Sequence, residues 1–392
     1  MAQFSNSDKQ EHGQNAQSTM EELLRKCEEF SYIKETIKDY RCGYEGFSGS
    51  QFYCNFLIVF QDDSKWIIKI TTSFRSDRIK GNQWDSFNIK EIDPSISKSV
   101  LVYPDDLPET EKEKFIVHKL KILNHLHFSS IDDIVGQNEL FELIENYAYK
   151  DLKPGSRRGK AGNKFEDYIA NILSYQQNLD KWNTENPKLV GMQYNFFEKI
   201  FTKFGIKRNE FVKIEATSDK KAIGRLSSGG NVKTDIIVTC YKDDETVENF
   251  TISCKKTQKD EVAVGEYKAD DYADVLDSEN KELRNLLYIF QDNPTLGNFG
   301  KENGEKLEKE IKPYLQKLIK FVIGGYGGKN QNPLHCADYI LIGDGEDIFI
   351  HTLEEYTDLL LRYKRNFGTP FSWTYESGRR GKCIKLKAKV IK

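Results

Sequence analysis

Hydrophobic and polar positions divide the chain into segments with the periodicity of strands and segments with the periodicity of helices. In the first half, apolar runs at 52–60 and 66–72 flank a polar turn and predict a hairpin. In the second half, apolar runs at 236–238 and 250–252 flank an acidic connection and predict another hairpin. Apolar residues at 165–173 recur with helical spacing. The chain is therefore predicted to be an α/β protein.

The second of these hairpins carries polar side chains where a strand ends. Side chains alternate across a strand, so Ser253 and Lys255 are expected on one face and Cys254 on the other. Asp235, at the start of the neighbouring strand, is able to face this pair. An acidic residue followed by X-polar-X-Lys on the next strand is the skeleton of the nuclease core written PD-(D/E)XK, although the same pattern also describes an ordinary solvated sheet edge.

Phosphodiester hydrolysis explains why these residue types would stand together. A divalent ion neutralises charge and lowers the pKa of a bound water, and hard ions such as Mg²⁺ take carboxylate and carbonyl oxygens. The Asp235 carboxylate and the Cys254 main-chain carbonyl are thus the predicted metal ligands. Lys255 is predicted to hold the attacking water and to offset the charge that develops on the phosphate. Ser253, where most such nucleases have a second acid, adds no negative charge.

Three blocks of sequence, covering roughly residues 155–390, resemble the MspI-type restriction endonucleases in order and in spacing. The blocks are Gly162-Asn163-Lys164-Phe165-Glu166-Asp167-Tyr168-Ile169, the stretch 224–235 with Ser253, Lys255 and 262–267, and Phe367-Gly368-Thr369 with Trp373-Thr374-Tyr375 and Lys385-Leu386-Lys387. The resemblance implies a restriction-endonuclease-like core, in which helices flank a mixed central sheet, with an additional N-terminal α/β module. It also implies a Mg²⁺-dependent Type II restriction endonuclease that cuts double-stranded DNA at a short palindrome, with CCGG as the predicted site.

The chain departs from the family pattern at three positions. The family has Asn where Ser253 stands, so the missing carboxylate is part of the resemblance. A family Gln is Lys385 here and a family Ser is Ala263, which puts the recognised sequence in question more than the reaction. The resemblance also makes Glu166 the predicted second carboxylate, because a Glu on the first core helix often reaches the metal in the wider superfamily. The alternative is an acid that the helix dipole favours there.

The resemblance and the distribution of basic residues also predict which side chains meet DNA. In the catalytic and C-terminal blocks they are Lys233, Lys256, Ala263, Thr374, Tyr375, Ser377, Lys385 and Lys387. Hydroxyl and ammonium groups can donate to guanine O6 and N7, and each good pair discriminates by about 1–3 kcal/mol. In the first half, Arg75, Arg78 and Trp84 are typical of a loop that meets DNA. A surface loop anchored by a buried Trp84 is the alternative.

The length of 392 residues exceeds that of a typical single domain and predicts two. Residues 1–19, rich in Gln, Ser and Asn, are predicted to be disordered. Residues 20–150 are predicted to form an accessory module for DNA binding or specificity, and 151–392 the endonuclease domain with its C-terminal recognition segment. A stretch rich in Gly, Lys and Arg at 153–162 is predicted to link them.

Charge is distributed unevenly along the chain. The net charge of −3 does not by itself indicate a nucleic-acid binder. Residues 363–392, however, hold nine Lys or Arg against the single acid Glu376, which predicts one basic face for phosphates. Seven scattered cysteines without a CxxC pair, and no long apolar stretch, predict a reduced cytoplasmic protein with no membrane partner. A monomer or homodimer is expected, with a cognate DNA methyltransferase as its functional partner in a restriction-modification system.

Two other functions stay open from the sequence. A nuclease with the same core would act on modified or branched DNA, with the N-terminal module as its sensor. Alternatively, the chain would be a DNA-binding protein whose nuclease core is inactive because Ser253 replaces the acid.

Overall fold

Two groups of packed elements make up the computed structural model, which describes residues 5–46, 51–107, 109–123, 130–226, 231–328, 332–376 and 378–392. The first unit comprises residues 1–164, 172–201 and 207–213, and the second comprises 165–171, 202–206 and 214–392. The chain thus passes between the units several times, whereas the sequence predicted one boundary at residue 150. A boundary inferred from composition marks a change in residue types, and it does not detect helices that contribute residues to both units.

The first unit contains a five-stranded sheet and several helices. Its strands, in spatial order, are β1 (Glu35–Cys42), β2 (Phe52–Val59), β3 (Lys65–Ile70), β4 (Ile96–Tyr103) and β5 (Asp133–Gly136). Its helices, of which the fifth and the seventh are shared with the second unit, are α1 (Asn6–Glu29), α2 (Ser76–Ile92), α3 (Glu109–Leu123), α4 (Gln137–Ala148), α5 (Pro154–Ser174), α6 (Gln176–Thr184) and α7 (Tyr194–Phe204). Strands β2 and β3 pair antiparallel, which confirms the predicted hairpin, and β3, β4 and β5 run parallel.

Helix α1 includes most of the polar N-terminal segment, so the prediction of disorder is wrong for residues 6–19. Ser5 caps the helix, because its Oγ accepts from Asp8 N at 3.1 Å while Asp8 Oδ2 accepts from Ser5 N at 3.0 Å. Further along, Thr19 is fully buried and its hydroxyl donates to the carbonyl of Val190. Polar side chains therefore secure a helix that a search for apolar periodicity does not detect.

The segment around Arg75 and Arg78 is helical rather than the predicted loop. Arg75 is the residue before α2, and Arg78 lies exposed on the first turn of this helix. Trp84 is 62% exposed, so the alternative in which a buried Trp84 anchors a surface loop is also wrong. The helix escaped prediction because polar Ser86 and Asn88 occupy part of its buried face. Likewise, α5 begins at the second residue of the predicted linker.

The described residues of the second unit form two sheets. Its strands are β6 (Lys213–Thr217), β7 (Ile236–Tyr241), β8 (Val247–Lys256), β9 (Glu261–Tyr267), β10 (Tyr339–Gly343), β11 (Ile348–Thr352), β12 (Phe371–Thr374) and β13 (Ile384–Lys389). Its remaining helices are α8 (Lys220–Ile223), α9 (Ala269–Asp277), α10 (Lys281–Asp292), α11 (Leu296–Phe299), α12 (Lys301–Ile311), α13 (Leu315–Gly324) and α14 (Leu353–Leu360). The central sheet has the order β11-β10-β8-β7-β6, and the smaller sheet has the order β12-β13-β9.

The central sheet is mixed, as predicted. Strands β7 and β8 pair antiparallel with Ile236 opposite Ile252, which confirms the second hairpin. Strand β8 runs parallel to β10, and β10 pairs antiparallel with β11. Ile236, Val238 and Ile252 are wholly buried. Buried apolar side chains therefore fix the positions of Asp235, just before β7, and of Lys255, near the end of β8.

The smaller sheet packs one face on helices and leaves the other polar. Leu386 and Ala388 of β13 are wholly buried, and Trp373 of β12 is nearly so. The Trp373 ring lies 5.5 Å from the ring of Phe290 on α10 and 5.3 Å from that of Phe367. Because side chains alternate across a strand, the residues of β12 and β13 next to these buried ones face the other side of the sheet.

Helix α5 reaches the central sheet through a close contact at Gly343. A Cβ atom built on Gly343, at the end of β10, would lie 2.4 Å from Cζ of Phe165. Phe165 is buried and directly precedes Glu166. The missing side chain at 343 therefore determines how closely this part of α5 approaches the sheet.

Replacing Gly343 with Ala is expected to destabilise the fold by about 1–3 kcal/mol, because the Phe165 ring must move out of a packed core. The measurement is the midpoint of urea unfolding. Gly162→Ala is the matched control. Gly162 lies on α5, the helix that carries Phe165, and a Cβ atom added there would have no atom within 4 Å. An unchanged midpoint for Gly343→Ala would contradict the packing described.

Candidate active site

Pairing between β7 and β8 brings the predicted polar residues together. Asp235 N donates to Ile252 O at 2.8 Å, which continues the ladder one residue beyond β7 and places Asp235 beside Ser253. Asp235 Oδ2 accepts from Ser253 Oγ at 3.1 Å, from Cys254 N at 2.8 Å and from Lys255 Nζ at 3.2 Å. Strand alternation thus puts the serine and the lysine around one carboxylate oxygen.

Neighbouring charges keep this carboxylate and amine ionised. Burial opposes the charge of Asp235, but Lys255, Lys220 and the Cys254 amide outweigh it and hold the pKa of Asp235 below its usual value. Burial also opposes the charge of Lys255, and here the carboxylates of Asp235 and Glu166 prevail and raise the pKa of that lysine. Both groups are partly accessible, with 14% of the Asp235 side chain and 32% of the Lys255 side chain exposed.

Glu166 on α5 belongs to the same cluster, although its carboxylate reaches Asp235 through a residue that the sequence did not indicate. Lys220 Nζ donates to Glu166 Oε2 at 2.8 Å and to Asp235 Oδ1 at 3.4 Å. Burial, followed by the negative charge of Asp235, raises the pKa of Glu166 to about 7. An Asp before two lysines at 219–221 indicates a helix cap, but no local pattern shows that Lys220 meets these acids.

The oxygens of this cluster have the chemistry of a hard-cation site. Among the described residues, no three His, Cys, Asp or Glu side chains are grouped to hold a metal. The predicted set needs only two carboxylates and a main-chain carbonyl. Glu166 and Asp235 already hold a positive charge between them, and the Cys254 carbonyl accepts from Lys255 Nζ at 2.8 Å. All three atoms that would bind the metal are oxygens, so the set fits Mg²⁺.

The smaller sheet brings together four of the ten residues predicted to meet DNA. Thr374 of β12 lies opposite Lys385 of β13, and Lys387 lies opposite Ala263 of β9. All four are at least partly exposed, and Tyr375 follows directly after β12. Ser377, also predicted, lies outside the described residues. The sheet thus presents a row of hydroxyl and ammonium groups on one face.

An acidic residue that the sequence analysis missed lies in this row. Glu266 pairs across the strands with Lys385, and its carboxylate accepts from Arg379 Nη1 at 2.6 Å. Lys385 Nζ lies 3.8 Å from Glu266 and 3.8 Å from Glu376. Glu266 lies within strand β9. The carboxylates of Glu266 and Glu376 therefore pair with Arg379 and Lys385.

The remaining predicted contacts lie in different surroundings. Lys233 Nζ donates to the carbonyl of Val264 and lies 5.2 Å from the centre of the Tyr267 ring. Burial and the charge of Lys255 lower the pKa of Lys233 to about 7. Lys256 Nζ lies 5.9 Å from the centre of the Phe165 ring.

Arg75 and Arg78 belong to the first unit, not to the unit that carries the catalytic cluster. Arg75 Nη2 lies 2.8 Å from the carboxylate of Asp77. None of the described helices is long and apolar enough to span a bilayer.

The chain is similar to known restriction enzymes. The family described as restriction endonuclease MspI matches residues 140–388. The Type II restriction enzyme BsuFI of Bacillus subtilis is 29% identical over 398 residues, covering 97% of this chain and 97% of BsuFI. The Type II restriction enzyme MspI of Moraxella sp. is 21% identical over 262 residues, covering 63% of this chain and 98% of MspI.

The fold is also found in a solved structure. The crystal structure of restriction endonuclease MspI in complex with its cognate DNA superposes with a TM-score of 0.54, at 21% identity over 64% of this chain and 98% of MspI. The predicted fold class, a mixed α/β restriction-endonuclease fold, is thereby confirmed. Because the family match also extends over more than half of its residues, the chain belongs to the MspI restriction endonuclease family.

Proposed function

We propose that this chain is a Mg²⁺-dependent Type II restriction endonuclease that hydrolyses double-stranded DNA at a short palindrome, with CCGG as the proposed site. The observation that carries the proposal is the meeting of Asp235 Oδ2 and Lys255 Nζ, 3.2 Å apart, at the ends of two paired strands. The names of the two sequence relatives, both Type II restriction enzymes, support the reaction class. CCGG rests on the resemblance of the catalytic and C-terminal blocks to the family.

The proposed roles follow from the contacts of the cluster. Asp235, Glu166 and the Cys254 carbonyl would hold the metal, which when bound neutralises phosphate charge and lowers the pKa of a water. Lys255 would position the attacking water and stabilise the negative charge that develops on the phosphate. Ser253 Oγ donates to Asp235 Oδ2 at 3.1 Å and so orients the carboxylate without adding charge.

The polar face of the smaller sheet is the proposed base-reading surface. Its hydroxyl and ammonium donors match the acceptors O6 and N7 that guanine shows in the major groove. The proposed contacts on this face are Ala263, Thr374, Lys385 and Lys387. Tyr375 and Ser377 are further proposed contacts, on the resemblance of the sequence alone. Outside the sheet, Lys233, Lys256, Arg75 and Arg78 are also proposed contacts. The hydrogen bond from Lys233 to the Val264 carbonyl would have to break before that ammonium could reach a phosphate.

Residues 20–150 are proposed to form an accessory to the MspI-like core, most of them preceding the family match at 140–388. The match to MspI covers 98% of MspI but 63% of this chain, whereas the match to BsuFI covers 97% of this chain. The additional residues therefore have a counterpart in BsuFI but not in MspI, and their proposed role is in DNA binding or specificity. A monomer or homodimer, and a cognate methyltransferase that protects the host DNA, complete the proposal.

Incubation of the protein with unmethylated plasmid and Mg²⁺ tests this function. Discrete fragments whose sequenced ends share one short palindrome are expected, with no cleavage when a chelator replaces Mg²⁺. Cleavage of modified or branched DNA alone would favour the nuclease with the N-terminal sensor. Retention of DNA without cleavage would favour the inactive binding protein.

Glu166 is expected to make the Mg²⁺ requirement depend on pH. Its pKa of about 7 means that the carboxyl must lose a proton before it can hold a cation. We expect the Mg²⁺ concentration for half-maximal cleavage to rise as the pH falls from about 8 to 6. Initial rates over a grid of pH and Mg²⁺ measure this, and Glu166→Gln should remove the dependence. An equal Mg²⁺ requirement at both pH values would contradict this ligand assignment.

The raised pKa of Glu166 also predicts how the stability of the metal-free protein changes with pH. The pKa of Glu166 in the folded protein lies above its unfolded value of about 4.5, so the folded state binds the proton more tightly. The stability that this proton contributes is fully present below pH 4.5. This contribution is lost as the pH rises through about 7. In thermal melts without metal, wild type is therefore expected to lose stability relative to Glu166→Gln between pH 5 and pH 8.

A further inference from the structure

Lys220 lies between the two carboxylates of the candidate active site. Its Nζ donates to Glu166 Oε2 at 2.8 Å and to Asp235 Oδ1 at 3.4 Å. Lys255 approaches the other oxygen of the same aspartate, Oδ2, at 3.2 Å. When both carboxyl groups are ionised, two ammonium groups thus balance two carboxylates in the site.

The backbone on both sides of Lys220 is anchored. Before α8, Ser218 Oγ donates to Asp167 Oδ1 on α5 at 2.5 Å. At the end of α8, the carbonyl of Ile223 lies 3.1 Å from His335 Nε2, and the Ile223 side chain is buried. The Lys220 side chain is 39% exposed and has a flexible four-carbon stem. The ammonium is therefore able to move while its helix stays in place.

A divalent ion held by Glu166 and Asp235 would compete with this ammonium for the same oxygens. Mg²⁺ lies about 2.1 Å from its oxygen ligands, so it would occupy the space that the Lys220 ammonium fills. Like charges at such a distance also repel strongly in a partly buried site. An ion held by these oxygens would therefore require the Lys220 ammonium to leave.

We propose that Lys220 is the resident counter-ion of the metal-free site, and that a divalent cation displaces its ammonium, which then turns to a DNA phosphate. This inference rests on the proposed function. With the ion bound and both lysines still charged, the cluster carries two excess positive charges. The phosphates of bound DNA neutralise such an excess. Lys220 thereby makes binding of the cation depend on DNA, and by linkage each ligand strengthens the binding of the other.

Binding of Mn²⁺, followed by electron paramagnetic resonance, tests the proposal without any measurement of cleavage. Without DNA, Lys220→Met is expected to bind Mn²⁺ at least about tenfold more tightly than wild type, because one repelling charge is gone. A short duplex should raise the Mn²⁺ affinity of wild type more than that of Lys220→Met. Lys220→Arg keeps the charge and should restore the wild-type affinity.

The control is Lys221→Met, which removes the same charge from the exposed neighbour on α8 and should leave Mn²⁺ affinity unchanged. If circular dichroism shows Lys220→Met to be unfolded, Lys220→Gln, which keeps a donor for Glu166, takes its place. Wild type that cleaves DNA and binds Mn²⁺, with no gain in affinity in either variant, overturns this inference alone. Absence of both Mn²⁺ binding and cleavage in wild type overturns the proposed function as well.

Discussion

Replacing Asp235 with Asn is expected to slow DNA cleavage by about a thousandfold or more while DNA binding persists. The Asn side chain keeps the shape of Asp and an oxygen that can accept from the Cys254 amide, now at 2.8 Å. Strand pairing is therefore preserved. What disappears is the negative charge that would hold the metal and that offsets Lys255 and Lys220. Removal of a negative charge from the protein beside the DNA phosphate does not weaken the attraction between the protein and DNA.

Single-turnover cleavage of a short duplex gives the rate for this variant, and fluorescence anisotropy of the same duplex gives the affinity. Asp243→Asn is the control, since this exposed carboxylate lies in the connection between β7 and β8. It is expected to cleave at the wild-type rate. An Asp235→Asn protein that cleaves within about tenfold of wild type would remove the central carboxylate from the proposed mechanism.

Replacing Lys255 with Met is expected to lower the cleavage rate by about a hundredfold to a thousandfold. Methionine fills most of the volume of the lysine stem but brings no charge to the phosphate and no donor to the attacking water. The Cys254 carbonyl also loses its donor at 2.8 Å, so a modest loss of stability should accompany the loss of activity. Lys255→Arg is not expected to restore the rate, because a planar guanidinium places its donors differently from an ammonium.

The rate is measured with saturating Mg²⁺ at a temperature well below the unfolding midpoint, so that stability does not enter. Lys259→Met serves for comparison, because this lysine lies exposed just beyond β8 and should be dispensable for the chemical step. If Lys255→Met and Lys259→Met cleave at the same rate, Lys255 has no part in the reaction.

The cluster around Asp235 could be predicted because its geometry is local. Two apolar runs defined the strands, and the two-residue period of a strand fixed Ser253 and Lys255 on one face. The register then decides which residue of the neighbouring strand they meet, and pairing of Ile236 with Ile252 brings Asp235 there. The grouping of Thr374 with Lys385 was not a matter of periodicity and was expected only from the resemblance to the family.

Features that depend on tertiary packing or on polar contacts could not be predicted in this way. Lys220 reaches Glu166 from 54 positions away, and no periodicity links the two. Helix α2 has polar residues on its buried face, which hides the helical pattern. The division into units was missed for a related reason, because residues 172–201 fold with the first unit although they follow the basic stretch that suggested a linker.

The capped helix at the start of the chain also affects how shorter versions of the protein should be designed. A fragment trimmed to residue 20, as low sequence complexity would suggest, would cut α1 within its folded length and leave the Val190 carbonyl without the Thr19 hydroxyl. Leu23 and Leu24, both wholly buried, would then sit close to a frayed and newly charged end. Fragments intended to separate the accessory part from the nuclease should therefore retain Ser5 and everything that follows it in this helix.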